Sequence, residues 1–194
     1  MNALALALML SLAAPEGETL SGGDPQDSKK AAAHPVPPWA PRDASLGVTI
    51  NSPMVSAQFR LGWQIAFYER RGHDLVVTIV LGTGVALSRP TGMTAHSQHV
   101  ALAGIGYRKV GPLINWGFQW GIGGNWYQAL YPAFPTESRV VVYTEGRGQF
   151  GLRLMKHFVL GLFVGYGSPV QFDVRFPGQT YTGGLMVGLF ADWR

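Results

Sequence analysis

Between Val55 and Tyr68 the chain reads VSAQFRLGWQIAFY, and every second residue is apolar: Val55, Ala57, Phe59, Leu61, Trp63, Ile65 and Phe67. The residues between them, Ser56, Gln58, Arg60, Gly62, Gln64, Ala66 and Tyr68, are mostly small or polar. Successive side chains of a strand point to opposite faces, whereas a helix would scatter both sets around its circumference. The segment therefore predicts a strand with two chemically different faces. Which solvent each face meets decides between a soluble barrel holding a ligand and a membrane barrel.

The pattern recurs. In Ile114 to Trp126 (INWGFQWGIGGNW), Ile114, Trp116, Phe118, Trp120, Ile122 and Trp126 alternate with Asn115, Gly117, Gln119, Gly121, Gly123 and Asn125. Leu75 to Leu87 sets Leu75, Val77, Ile79, Leu81, Val85 and Leu87 against mostly smaller residues, and Phe158, Leu160, Leu162, Val164 and Tyr166 repeat the scheme. In His96 to Lys109 either face reads as the apolar one. Glu69–Asp74, Lys109–Pro112 and Arg153–His157 are short connections, while Ser88–Ala95, Tyr127–Glu137 and Gly167–Gln179 are longer and richer in Pro. Short and long connections thus fall on opposite rims. A first strand, Ser45–Asn51, turned at Ser52-Pro53, brings the expected total to eight, with both ends of the barrel segment on the short-turn side. An even-numbered antiparallel meander can close on itself and leave no edge.

The faces decide the solvent. A soluble barrel carries its charge outside, yet the polar face of Asn115 to Asn125 holds no charge at all. Only 13% of the chain is charged, against roughly 25% in ordinary soluble proteins. Disorder does not explain the deficit, because 12% of the residues are aromatic and disordered chains combine low hydrophobicity with high charge. The Asn, Gln and Gly face suits a narrow interior and the apolar face suits hydrocarbon. A strand of about twelve residues tilted near 45° covers the roughly 25 Å apolar band of a membrane barrel. Phe59, Trp63, Trp116, Phe118, Trp120, Leu160 and Leu162 are therefore expected to face lipid.

The first residues differ. Ala3–Ala14 (ALALALMLSLAA) is an apolar run too short to span a bilayer, and Ser11-Leu12-Ala13 offers a cleavage pattern, so 1–13 reads as a secretory signal peptide. Residues 14–43 are rich in Pro, Ala and charge with no apolar period, and read as a disordered, flexible linker. Residues 44–194 make a single barrel domain, all-β and up-and-down. The net charge of +4 is spread without a basic stripe, which excludes nucleic acid as a partner. Cysteine is absent, removing disulfides, thiolate metal sites, cysteine nucleophiles and an N-terminal lipoprotein anchor.

On these alternating segments, from Ala44 to Arg194, the chain resembles the small outer-membrane β-barrels of Gram-negative bacteria, of the OmpA, OmpX and OmpW type. In the last segment (YTGGLMVGLFADW), Tyr181, Leu185, Val187, Leu189 and Trp193 share one face. In that family the final strand ends in an aromatic residue read by the barrel assembly machinery, and Trp193 is similar to it, with Arg194 following. The resemblance implies contact with outer-membrane lipid and Tyr181, Leu189 and Trp193 as the assembly signal.

Three functions fit such a barrel. An interior of eight strands is nearly filled by side chains, so a nutrient pore is disfavoured. One function is a structural or surface-interaction role, with a polar lumen and long loops that meet an extracellular ligand. Another is a narrow gated channel. The third is a hydrolase acting on lipid A or phospholipid, for which His96, Ser97, His99 and Glu145 are the residues to inspect. A hydrolase needs serine, histidine and carboxylate within hydrogen-bond reach. On a strand His96 and Ser97 face opposite ways, and His99 lies about 7 Å from Ser97 along the same face. Opposite faces also argue against His96 and His99 as a metal pair, and no cofactor is called for. The expected lumen network is Arg60, Gln64, Gln119, Glu145, Arg147 and Gln149, with Arg60 or Arg147 paired to Glu145 because unpaired buried charge is costly. Arginine outnumbers acid in that set, so a leak is expected to favour anions.

Overall fold

The computed structural model describes residues 40–173 and 175–193. The expected signal peptide and nearly all of the expected linker lie outside the described residues, as do Val174 and Arg194. The strands are β1 (Asp43–Asn51), β2 (Met54–Arg70), β3 (His73–Ser88), β4 (Ala95–Val110), β5 (Ile114–Leu130), β6 (Glu137–Met155), β7 (Phe158–Pro169) and β8 (Gly184–Trp193). Each pairs antiparallel with the next, and β8 pairs back with β1 from Asp43↔Asp192 to Ile50↔Leu185, closing the ring. Closure satisfies the ladder hydrogen bonds that an edge strand would leave open.

Alternation maps onto the two sides of the wall. In β3, Val76, Thr78 and Val80 are buried while Leu75, Val77, Ile79 and Leu81 are exposed. In β4 the ambiguity is resolved by register. Leu102 lies opposite Val80 and Gly123, both on the inner face, so His96, Gln98, Val100 and Leu102 point inward and Ala101, Ala103 and Ile105 outward.

The interior is layered rather than uniformly polar. Val80, Val100, Leu102 and Tyr143 form one buried apolar cluster, and Val159, Phe163, Met186 and Phe190 form another. Phe163 fits because its neighbours across the strands are Gly47 and Gly188; a Cβ on either would lie 2.7 Å from its ring.

The β7–β8 connection folds back into the barrel mouth through a short 3-10 helix, Pro177–Tyr181. Tyr181 is therefore not on the face of the last strand, as the sequence predicts, but packs with Met54, Met93 and Ala129 at the long-loop end. β8 begins at Gly184, whose φ of 132° redirects the chain in a conformation closed to ordinary side chains.

Candidate functional site

The buried polar groups of the lumen lie in three levels, each built by strands that the ring places opposite one another. At the central level Arg60 of β2 and Glu145 of β6 form an ion pair, with only 3% and 6% of the residues exposed. β2 and β6 are not neighbours in the ring, so the pair crosses the interior. Arg60 Nη2 also donates to Gln58 Oε1 at 2.7 Å.

Arg147 sits beside this pair. Its Nη1 donates to Ser45 Oγ at 3.0 Å, and its guanidinium carbon lies 4.4 Å from the centroid of the Phe163 ring. With the Gln149 amide oxygen turned toward it, Gln149 accepts from Arg147 Nε at 3.1 Å and Nη2 at 2.6 Å. Gln119, opposite Arg147 in the β5–β6 register, lies on the same inner face, half-buried.

Near the short-turn rim is a level that sequence reasoning missed. Arg108 donates to Asp74 Oδ2 through Nε at 3.2 Å and Nη2 at 2.9 Å, and its Nη1 lies 3.9 Å from Asp192 Oδ2. Gln64 joins this group rather than the central one, accepting from Arg108 Nη1 at 2.8 Å and donating to Asp43. Asp43, expected to end the linker, is thus the first residue of β1 and is buried. The signal was present, since Asp74 shares parity with the inward Val76 and Thr78. The inward acids Asp43, Asp74, Glu145 and Asp192 equal in number the inward arginines Arg60, Arg108, Arg147 and Arg153, so the excess of arginine on which the expected anion bias rests is absent.

The third level lies at the mouth, where the β7–β8 connection is tied to the strands. Glu137 accepts from the Tyr127 hydroxyl and, at 3.1 Å, from the Gly178 amide of the 3-10 helix. Asn51 Nδ2 donates to Thr180 O at 2.6 Å and Asn125 Nδ2 to Thr182 O at 3.1 Å. His96 stacks on Tyr127 with centroids 6.0 Å apart. Beyond the mouth, the hydrogen bonds that Arg175 donates hold the Asp173 carboxyl down to about 2. A Cβ on Gly178 would lie 2.8 Å from that of Ala129. Overpacking of this kind costs about 1–3 kcal/mol. Gly178→Val should therefore release the loop and speed tryptic cleavage after Arg175 about tenfold or more; an unchanged rate would mean that the 3-10 helix is not held by this contact.

The hydrolase candidates are not assembled. His96 is inside the barrel, Ser97 is on the other side of the strand, His99 stacks externally on Trp126 at 5.1 Å, and Glu145 is bound by Arg60. Among the described residues no cluster of three or more His, Asp or Glu side chains is placed to hold a metal ion. On the outer surface lie Phe59, Trp63, Trp116, Phe118, Trp120, Leu160 and Leu162, with Leu189 and Trp193 on β8.

No protein-family model matches the sequence, and no curated protein matches it. Solved structures do match. The outer membrane enzyme PagL shares 16% identity at a TM-score of 0.54, covering 78% of this chain and 97% of its own. Neisserial surface protein A shares 9% identity at a TM-score of 0.54, covering 78% and 94%. The chain has the fold of an eight-stranded outer-membrane β-barrel. That fold serves an enzyme in one of these proteins and a surface protein in the other, so it does not choose between activities.

Proposed function

We propose that the protein is a small barrel of the outer membrane of a Gram-negative bacterium, with a sealed lumen and a structural or surface-interaction role. The observation that carries this reading is the Arg60–Glu145 pair across the lumen, beneath a mouth where the 3-10 helix is tied to the strands. The short turns face the periplasm and the long connections face outward, as is usual for such barrels. Phe134 and Phe172, 73% and 59% exposed on those connections, are the contact points for an extracellular ligand. Residues 1–13 direct export and are removed, 14–42 tether the barrel on the periplasmic side, and Leu189 and Trp193 engage the assembly machinery.

The test combines a gel with planar bilayers. Folded protein should change mobility on boiling in detergent, and the inserted barrel should show no steady conductance. A chain that stays soluble without detergent and runs identically boiled and unboiled would return the choice to a soluble barrel, and a steady large conductance would overturn the seal. Protein recovered from the envelope should begin near Ala14 by mass spectrometry; an intact Met1 there would count against export by this signal.

A further inference from the structure

The short-turn rim separates its charges by sign. Arg70 at the end of β2, Arg71 in the β2–β3 turn, Lys109 at the end of β4 and Lys156 in the β6–β7 turn are all exposed. The acids of the same end, Asp43, Asp74 and Asp192, are buried in the lumen, and among the described residues Glu69 is the one exposed acid there. None of these four cations makes an ion pair or a side-chain hydrogen bond among the described residues. The opposite rim differs: Arg175 pairs with Asp173 at 2.7 Å, Arg139 lies 3.6 Å over the Phe176 ring, and Arg89 donates to Thr94 O.

The β2–β3 hairpin end that carries two of these cations is also fixed. Arg71 and Gly72 turn the chain with φ of 50° and 79°, and Gly72 O accepts from Val110 N at 2.6 Å, fastening the β2–β3 turn to the end of β4. Lys109 is the register partner of Trp116, which packs 5.3 Å from Tyr107, and Phe67, Tyr68 and Trp116 are exposed beside the same rim. Tyrosine and tryptophan settle at headgroup depth in a bilayer, which sets the cations level with lipid phosphates. We propose that Arg70, Arg71, Lys109 and Lys156 form a collar that binds the phosphate groups of anionic phospholipids in the periplasmic leaflet. The inference rests on the membrane placement and orientation proposed above.

Full-length protein would be reconstituted in phosphatidylcholine vesicles containing brominated phosphatidylglycerol or brominated phosphatidylcholine, and quenching of tryptophan emission would give the relative affinity for the two lipids. Phosphatidylglycerol should be preferred at low salt, and the preference should fade at high salt. Each cation removed should lower it about fivefold, so R70S/R71N/K109S/K156S should abolish it; asparagine suits the positive φ at position 71. R70K/R71K should keep the preference, as should R89S/R139S/R175S at the other rim. Absence of a preference in the parent, or its survival in the quadruple variant, would overturn the proposal. Loss of the preference when inorganic phosphate is added at matched ionic strength would assign the collar to free phosphate instead. The boiled and unboiled gel separates the outcomes: failure to insert speaks against the membrane reading, whereas a folded, inserted barrel without lipid preference sinks the collar alone.

Discussion

Glu145→Ala should lower the stability of the folded barrel by about 3–5 kcal/mol, the usual cost of leaving a buried charge without its partner. Arg60 is 3% exposed and would retain the Gln58 amide oxygen, the Tyr143 hydroxyl and the Met186 sulfur, all of them uncharged and none able to neutralise a guanidinium. The loss shrinks to the extent that water enters the opened lumen. Arg60→Ala alone should also destabilise, because Glu145 would then be the stranded charge. The double variant should cost clearly less than the sum, since it removes both charges together. Urea unfolding in lipid vesicles measures all three, and simple additivity would show that the two residues do not stabilise one another. In planar bilayers the single Glu145 variant should open more often than the parent, because the pair crosses the lumen and its loss removes that crossing. An equally silent variant would place the seal in the mouth rather than at the central level.

Much of this architecture was legible because one physical constraint repeats along the chain. In Ile114–Trp126 the outer face is bulky and apolar and the inner face is Asn, Gly and Gln, which yields the strand and its orientation together. The crossing pair was foreseeable because a charged side chain on an inner face needs an opposite charge there. Of the Arg108 level only the inward Asp74 was foreseeable, from its parity with Val76 and Thr78; its meeting with Asp43 and Asp192 depends on a ring register across three strands that no local pattern displays. β4 was ambiguous because Ala101, Ala103, Gly104 and Gly106 put small residues on both faces. Tyr181 misled for a related reason: it shares parity with Leu185 and Val187, yet it ends the 3-10 helix that precedes the strand. The inward Phe163 and Phe190 run against the small-residue rule, and only Gly47 and Gly188 on adjoining strands explain the space at Phe163. Function was least legible, because the long connections bring together aromatic and charged residues without a constellation that names a reaction.

Leu162→Arg should cost about 2–4 kcal/mol, whereas Leu154→Arg should cost about 0–1 kcal/mol, the depth dependence of a cation on the lipid face of a membrane barrel. The two leucines present nearly equal surface, 62% and 56% exposed, so water alone would treat them alike. They differ in height. Leu162 lies between the register partners Phe150 and Leu189, with Phe158 and Tyr166 about 13 Å away on either side along its own face. On the membrane placement proposed above, Phe158 and Tyr166 would sit toward the two interfaces and Leu162 near the midplane, where a guanidinium cannot reach water without bending the bilayer. Leu154 is next to the short β6–β7 turn, and an arginine there extends into the headgroups. In a soluble barrel both changes would exchange exposed apolar surface for charge and stay within about 0.5 kcal/mol of neutral. Reversible urea unfolding of both variants in vesicles separates the cases. Equal, small costs would remove the lipid from around this wall, and with it the orientation on which the sealed barrel and its collar depend.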